Sequence, residues 1–453
     1  MPVKRRWQKG AGPQQHIMHN TTSLTRRDFL RRSGGLTLSA GALLAAPGLF
    51  LNRTRAQTGE NPSELIRVGI IGSGNQGRAN MVAAHMIKHV VAVCDVDASH
   101  VVAAQKQLKD RTGVEAKGYS DYRKLLENNE IDAVLIATPD HWHALPTIHA
   151  CQAGKDVYCE KPLTLRIFEG WAMIKAAREN KRIVQTGSMQ RSMPGFREAC
   201  EYVRSGRIGD VKMVRVGIPG VNWMKDPPVP DGKPPKELDY NFWLGPAPDR
   251  PYNPHRVHYY FRFFWDYSGG QMTNWGAHHL DIAQWGLGMD DSGPVEISAR
   301  ADFDLEKRFE TPSWFEVTYK YANGATVLCG NSHRQGTTFE GEDGIIYVDR
   351  GRLESTAKGV LTEPLAADEV HLPVSKDHHL NWLDSIKTRK LPICDVAIGH
   401  RSATVCHLGN IAIRVGRRIK WDPVKEEIVG DTEAAQYLRY GYRGPWQLPE
   451  TLA

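Results

Sequence analysis

Three residues could together carry proton chemistry: Lys161, Asn274 and His278. Asn274 and His278 are four positions apart, so a helix through them would place both on one face. A histidine there can take the proton of a hydroxyl while hydride leaves the adjacent carbon. Lys161, in the segment C-E-K-P of residues 159–162, can hold or polarise the oxygen of that hydroxyl. We therefore predict these three as the catalytic residues of a hydride transfer, with Asn274 orienting the substrate.

Hydride transfer needs an acceptor, and a glycine-rich segment predicts one. Gly72, Gly74 and Gly77 match G-x-G-x-x-G directly after the apolar run 66–71, and Asp95 ends the next apolar run. Such glycines allow a tight turn, backbone approach to a pyrophosphate and close helix packing. Asp95 would accept hydrogen bonds from the adenosine ribose and repel a 2′-phosphate. The pattern predicts NAD bound by the loop that also contains Asn75 and Gln76.

Two further segments end predicted strands of the same sheet. Thr138 and Pro139 follow the run 131–137, and Glu160 with Lys161 follows the run 157–159. Ligands of open α/β sheets bind at the carboxyl ends of strands. We therefore expect all four residues to lie along the cofactor. His141 and His143 have no third metal ligand placed with them, so we expect no metal site.

Strands alternate with helices up to residue 187, which indicates an α/β fold with a Rossmann-like, doubly wound parallel sheet over residues 64–187. After that point, strand-like runs show period-two alternation, which indicates an α+β domain with a mainly antiparallel sheet over residues 188–440. The predicted helices 376–388 and 402–418 could pack back on the first domain. Residues 219–265 are rich in proline, aromatics, histidine and arginine.

Aromatic and hydrogen-bonding side chains suit sugar rings, although they serve equally well in core packing. For contacts with the substrate we select Arg191, Tyr259 and Arg262.

The net charge of +7 is concentrated at the start of the chain. Residues 1–56 carry ten Lys and Arg against one acid, a net charge of +9, which leaves −2 for the rest. Nothing then favours a nucleic-acid partner for the remaining chain. The segment T-R-R-D-F-L-R of residues 25–31, followed by an apolar run, predicts a twin-arginine signal within residues 1–56. We expect export to the periplasm by the twin-arginine translocase, with an uncleaved membrane anchor as the alternative.

The combination of the glycine loop, Thr138-Pro139, the E-K-P segment and the G-A-H helix resembles the Gfo/Idh/MocA family, the glucose–fructose oxidoreductase and inositol dehydrogenase group, over residues 64–440. The resemblance implies that Lys161 contacts nicotinamide and substrate and that His278 is the general base. The family carries Asp where this chain has Asn274, and an amide cannot accept a proton.

We expect an NAD-dependent oxidoreductase of a carbohydrate or polyol, with NAD tightly bound and the protein a homo-oligomer. One alternative is a redox-neutral glycosidase that uses NAD transiently. A second is a non-catalytic protein that binds a sugar or a nucleotide.

Overall fold

The structure is a computed structural model that describes residues 65–221 and 227–448. The predicted twin-arginine signal lies outside these residues. Two sheets organise the described chain, and they are sequential: six strands between residues 68 and 186, then nine between residues 211 and 428. No helix of the described ranges is long and apolar enough to cross a membrane.

The first sheet is parallel throughout, with strand order β3-β2-β1-β4-β5-β6. Its inner strands are fully buried apolar runs, as expected where helices cover both faces. The strand order reverses beside β1, so the carboxyl ends of β1 and β4 flank a crevice. The elements are β1 (Val68–Ile71), α1 (Asn75–Met81), β2 (Val90–Cys94), α2 (Ala98–Thr112), β3 (Lys117–Tyr119), α3 (Tyr122–Leu126), β4 (Ala133–Ile136), α4 (Ala144–Gln152), β5 (Asp156–Cys159), α5 (Ile167–Glu179) and β6 (Val184–Thr186).

The second sheet has the order β13-β12-β11-β7-β10-β9-β8-β14-β15 and is antiparallel except where β7 pairs with β10. Helices pack on one face, and the strands alternate in burial accordingly. The elements are α6 (Pro194–Arg204), β7 (Val211–Gly217), α7 (Tyr240–Leu244), α8 (Gly270–Asn274), α9 (Gly276–Gly286), β8 (Glu296–Asp302), β9 (Trp314–Lys320), β10 (Thr326–Gly330), β11 (Gly336–Gly341), β12 (Ile345–Asp349), β13 (Arg352–Ser355), α10 (His378–Thr388), α11 (Val396–Val415), β14 (Ile419–Asp422), β15 (Glu427–Ile428) and α12 (Thr432–Gln436).

The fold-class prediction is confirmed by these two sheets. The edge strand β3 was not predicted, because its residues are mostly exposed and show no apolar run. The C-terminal part of the chain covers the other edge, where the Thr186 N–H donates to the Cys394 carbonyl at 2.9 Å. Helix α11 also packs against α5 and β6.

One predicted element is altered in a way that affects the site. The segment around Asn274 and His278 is not one uninterrupted helix, since α8 ends at Asn274 and α9 begins at Gly276. The His278 N–H donates to the Trp275 carbonyl at 3.0 Å, a three-residue step that tightens the junction. The shared helix face expected for Asn274 and His278 is therefore corrected to two helices that meet at Trp275.

Candidate active site

The glycine turn after β1 adopts the geometry that its three glycines predict. Gly72 has φ +86°, and a Cβ there would lie 2.7 Å from the backbone of Ala137, the residue that follows β4. A Cβ on Gly77 would lie 1.9 Å from the Gly72 carbonyl oxygen. Gly74 faces open space, since a Cβ there would meet only the His100 side chain, at 3.6 Å. The first and third glycines thus serve the close packing, and the second leaves room for a ligand.

An open cleft lies over this turn and the carboxyl ends of the parallel strands. Most of the residues predicted to bind cofactor line it, together with two of those predicted to contact substrate: Gly72, Gly74, Asn75, Gln76, Asp95, Thr138, Pro139, Glu160, Lys161, Tyr259 and Arg262. Gly77 lies behind the turn.

Asp95 lies at one end of the cleft and is held rigidly. Its carboxylate accepts the Ser73 N–H at 2.8 Å and the Asp97 N–H at 3.0 Å, and the His100 ring nitrogen Nδ1 lies 3.3 Å away. This hydrogen bond with Asp95 is the main cause that raises the pKa of His100. A carboxylate in this place suits the ribose hydroxyls that the sequence predicts.

His258 reaches the same end of the cleft from the second half of the chain. Its Nε2 lies 3.4 Å from Asp97 Oδ2, and its ring centroid lies 4.7 Å from that of His100. The possible ligand atoms of Asp97, His100 and His258 lie within 4.8 Å of one another, so this group could hold a metal ion. No local sequence pattern predicts this group, because Asp97 and His258 are 161 positions apart.

Glu160 is buried under the middle of the cleft. Its carboxylate accepts hydrogen bonds from Asn80 at 2.7 Å, from Gln76 at 3.1 Å and from the Lys161 N–H at 3.2 Å. Glu160 therefore ties α1 to the end of β5, and it lines the cleft from this position.

Lys161 links the cleft to the helix junction. Its Nζ donates to the backbone carbonyl of Asn274 at 3.0 Å and to the side-chain Oδ1 at 3.2 Å. Burial is the main cause that lowers the pKa of Lys161 to about 8. The Asn274 amide in turn donates to Gln271 Oε1 at 2.9 Å, which orients its oxygen toward Lys161.

His278 is buried beside this pair. Burial, and then the charges of Lys161 and Arg350, lower its pKa well below the ordinary value. Its Nδ1 is buried and has no hydrogen-bond partner among the described residues. A histidine with so low a pKa is neutral at pH 7 and is therefore able to accept a proton. The structure thus brings together Lys161, Asn274 and His278, the three residues that were predicted as catalytic.

Two buried groups beside Lys161 were not among the predicted site residues. Asp140 Oδ2 accepts a 2.5 Å hydrogen bond from Ser268 Oγ, and burial raises the pKa of this carboxyl. His143 Nδ1 lies 2.7 Å from the Pro162 carbonyl oxygen, and Nε2 lies 2.9 Å from that of Thr138. Because carbonyl oxygens only accept, both ring nitrogens must carry protons to satisfy both contacts.

His143 is therefore a buried cation that holds the turns after β4 and β5 together. Burial alone lowers the pKa of His143, but the nearby Cys159 and Asp140 raise it to about 10. Asp140 and His143 follow Thr138-Pro139 directly in the chain, so the signal was present in a segment already chosen for its position.

The structure corrects one predicted site residue. Arg191 does not line the cleft, because its guanidinium is buried in a double ion pair with Asp281 and Asp290. It also packs over the Trp285 ring. With its side chain 1% exposed and its donors engaged by carboxylates, Arg191 stabilises the α9 region and has no contact to offer a substrate.

Comparisons with known proteins agree with this division of the chain into two sheets. Residues 66–188 match a family model described as an oxidoreductase family with an NAD-binding Rossmann fold. Residues 204–448 match the model of that family's C-terminal alpha/beta domain. The cleft over the glycine turn is therefore an NAD site, and its open Gly74 backbone and its Asp95 carboxylate fit that cofactor.

Three relatives show the range of activities among similar proteins. Inositol 2-dehydrogenase of Salmonella paratyphi B is 36% identical over 152 residues, which are 33% of this chain and 43% of that protein, less than half its length. Myo-inositol 2-dehydrogenase of Thermotoga maritima is 31% identical over 66% of this chain and 78% of its own. Alpha-N-acetylgalactosaminidase of Shewanella oneidensis is 30% identical over 36% of this chain and 39% of its own.

A solved structure confirms the fold. The WlbA dehydrogenase of Bordetella pertussis, solved with NADH and UDP-GlcNAcA, superimposes with a TM-score of 0.58 at 22% identity. The match covers 79% of this chain and 99% of that one.

Proposed function

The chain belongs to the Gfo/Idh/MocA family of oxidoreductases, and from this premise we propose that it oxidises a hydroxyl group of a sugar or polyol with a tightly held NAD. The observation that carries the proposal is the contact of Lys161 Nζ with Asn274 next to the buried, neutral His278. Lys161 lines the cleft just after the end of β5, and Asn274 and His278 lie beside it on α8 and α9. The relatives that act on inositol support this substrate class.

Each of the three residues has one role. His278 accepts the proton of the substrate hydroxyl, since its depressed pKa keeps the imidazole neutral. Lys161 donates a hydrogen bond to the oxygen that becomes a carbonyl, as its Nζ now does to the Asn274 oxygens. Asn274 orients a neighbouring hydroxyl. NAD, when bound, supplies the hydride acceptor.

Asp140 and His143 support Lys161 rather than react. Asp140 places a buried carboxylate near the Lys161 charge and is held by Ser268. His143 holds the backbone on both sides of the lysine's cleft. Together they keep the Lys161 ammonium group in place while the substrate is oxidised.

The experiment measures NAD and its reduction in one preparation. Purified protein is denatured and the released NAD(H) is quantified, and the native protein is mixed with neutral and acidic sugars, polyols and glycosides. We expect bound nucleotide near one per chain and NADH absorbance with at least one sugar or polyol. A protein that neither contains nor binds NAD(H) would disprove the proposal.

The relative that is a glycosidase supports a second candidate, redox-neutral cleavage of a glycoside. In that reaction the same hydride would leave the sugar and return after elimination, so no net NADH would appear. Chromogenic glycosides distinguish the two functions: release of the aglycone without NADH favours cleavage, and NADH formation from free sugar favours oxidation.

We also propose export by the twin-arginine translocase, with the NAD-loaded enzyme acting in the periplasm as a homo-oligomer. The support is the T-R-R-D-F-L-R segment at residues 25–31. Retention of NAD through export is consistent with the His258–Asp97 contact across the Asp95 end of the cleft.

The double substitution Arg26→Lys with Arg27→Lys should leave the protein in the cytoplasm, as measured by fractionation, because the translocase reads the paired arginines. Arg5→Lys, outside the motif, is the matched control and should be exported. Unchanged export of the double variant would remove the motif from the account. Light scattering of the exported protein would establish the oligomeric state.

A further inference from the structure

The charges around Lys161 point to the kind of sugar that this enzyme takes. We propose that the substrate carries an anionic group, a carboxylate or a phosphate, and that Arg350 and Arg262 bind it beside Lys161 and His278. This inference rests on the proposed function and specifies the substrate class of the same site.

Arg350 lies over the Trp275 ring, and this ring meets the His278 ring edge to face. Arg350 follows the last residue of β12 and is exposed. Its guanidinium carbon lies 5.0 Å from the centroid of the Trp275 ring, and that ring lies 5.9 Å from the His278 ring. The Arg350 charge acts on both His278 and Lys161 and lowers the pKa of each. Arg350 therefore stands within electrostatic reach of the reacting groups.

Arg262 approaches Lys161 from the cleft. Both residues line it, and the Arg262 charge also lowers the pKa of Lys161. The guanidinium donates to the Tyr259 carbonyl at 2.9 Å and packs 4.7 Å from the centroid of the Phe261 ring. The hydrogen bond to Tyr259 uses Nη1 alone, so the planar guanidinium, which lines the cleft, has further N–H donors to offer a ligand.

Neither arginine forms an ion pair with a carboxylate within 4.0 Å among residues 65–221 and 227–448. Some other arginines of this chain do, among them the buried Arg191 and the exposed Arg300, which pairs with Glu316 at 2.9 Å. An arginine at a ligand site without an acidic partner is suited to a carboxylate or phosphate of the ligand itself.

None of the acids near the site pairs with either arginine. Asp140 accepts from Ser268, and Glu160 accepts from Gln76 and Asn80. Asp349, next to Arg350, lies 4.0 Å from His279, and its Oδ1 has no hydrogen-bond partner among the described residues. The side chain that accepts from Lys161 Nζ is the amide of Asn274, which carries no negative charge. Glu160 and Asp140 raise the pKa of Lys161 and so offset its charge in part. Among the described residues no carboxylate lies within ion-pair distance of Arg262 or Arg350, and an anionic substrate would supply one as it excludes water.

The test compares matched sugars on the NAD-loaded enzyme. Pairs that differ by one charge are glucose with glucuronate, galactose with galacturonate, and glucose with a hexose phosphate; myo-inositol serves as a further neutral polyol. Binding is measured by calorimetry and turnover by NADH formation. We expect at least one acid to bind roughly tenfold or more tighter than its neutral partner, and the uronate and phosphate pairs identify which anion is recognised.

Variants assign the effect to the arginines. Arg350→Gln and Arg262→Gln should each raise KM for the preferred acid by roughly 10- to 100-fold, with a smaller change in kcat and a weaker dependence of KM on salt. The control is Arg300→Gln, because Arg300 is an exposed arginine of the same sheet and is distant from the site residues in the chain. This variant should bind the acid as the unmodified protein does. Circular dichroism checks that each variant is folded.

The inference would be overturned if the neutral sugar of every pair bound equally well or more tightly, or if no acid of the panel bound at all. It would also be overturned if the Arg350→Gln and Arg262→Gln variants both kept the preference for the acid. Oxidation of a neutral polyol together with such a result would leave the proposed function standing. A protein that neither contains NAD(H) nor binds it would disprove the proposed function itself.

Discussion

At the scale of single residues, Asn274 decides how the site can work. Lys161 donates to both of its oxygens, and an amide can neither take a proton nor offset the ammonium charge. In the proposed mechanism the proton of the substrate goes to His278, which burial and two cations keep neutral. The same loss of negative charge makes the surroundings of Lys161 more positive than those implied by the family pattern.

Lys161→Ala should lower kcat/KM for the preferred sugar by roughly 100- to 10,000-fold, because the oxygen that becomes a carbonyl loses its only charged donor. The NAD content of the purified variant should stay within about twofold, since the glycine turn and Asp95 hold the far part of the cofactor. Denaturation release of NAD(H) and initial rates measure the two effects. Retained activity would remove Lys161 from the mechanism.

The value of kcat/KM should fall as the pH rises past about 8. Burial has lowered the pKa of Lys161 to about 8, and the neutral amine donates weakly. No acidic limb should appear near pH 6.5, since the pKa of His278 is well below that value. Asn274→Asp adds a carboxylate beside the ammonium group, which favours the charged form. It should move the alkaline limb upward by about one pH unit or more.

Initial rates over a pH series in the unmodified protein and in Asn274→Asp check both statements. A limb that does not move in the variant belongs to a group other than Lys161. By the inference on substrate charge, the same variant should also bind acidic sugars less tightly than the unmodified protein.

At the scale of elements, the β1–α1 turn separates two uses of glycine. Gly77→Ala places a Cβ 1.9 Å from the Gly72 carbonyl and should lower the free energy of unfolding by about 1–3 kcal/mol. Gly74→Ala places a Cβ at ordinary contact distance, 3.6 Å from His100, and should leave stability nearly unchanged. Because it fills space next to the pyrophosphate position, it should weaken NAD binding by roughly tenfold or more.

Urea denaturation and NAD titration of both variants measure the separation. Gly195→Ala is the control, since a Cβ there meets no atom within 4 Å. If Gly74→Ala destabilises the fold as much as Gly77→Ala does, the two glycines do not have the separate roles assigned to them.

The α8–α9 junction is the element that four-residue spacing does not predict. Helical periodicity describes one straight helix, whereas here Trp275 interrupts it. The Trp275 ring stacks with His279 and is also contacted by the Arg350 guanidinium. The interruption frees the Asn274 carbonyl from the regular helical pattern, and Lys161 uses that carbonyl. The contact comes from a strand end 113 positions away, so no local pattern encodes it.

At the scale of the whole molecule, buried histidines couple folding to pH. Burial lowers the pKa of His141 and His378 to about 4 and that of His407 to about 3. Below pH 6.5 these histidines bind protons in the unfolded chain but stay unprotonated in the folded protein. The free energy of unfolding should therefore fall as pH decreases. His143, whose pKa is raised to about 10, stabilises fully below pH 6.5 and loses its contribution only as pH rises toward 10.

The midpoint of thermal unfolding should therefore decrease from pH 6.5 to pH 5, a range in which carboxylates of ordinary pKa stay largely ionised. Differential scanning calorimetry at constant ionic strength measures this decrease. His407→Gln, which removes one such group, should show a shallower slope over the same range. A midpoint that is constant or rises toward pH 5 would contradict the account.

The sequence by itself determined the order of most elements and the NAD site, and it predicted Lys161, Asn274 and His278, which the structure brings close together. Glycine conformation, apolar runs and strand ends are local properties, and the carboxyl ends of parallel strands meet at one edge wherever such a sheet forms. The E-K-P lysine and the G-A-H histidine were also supported by the family resemblance. These predictions needed no knowledge of distant contacts.

Only the tertiary structure decided which charges face the catalytic groups. Arg191 was expected to contact the substrate and is instead buried between two carboxylates, while Arg350, without any local signal, reaches His278 through Trp275. The charge on Asp140 and His143 likewise depends on burial and on partners from other segments. Electrostatic surroundings are set by distances between residues far apart in the chain, and those distances exist only once the two sheets have packed together.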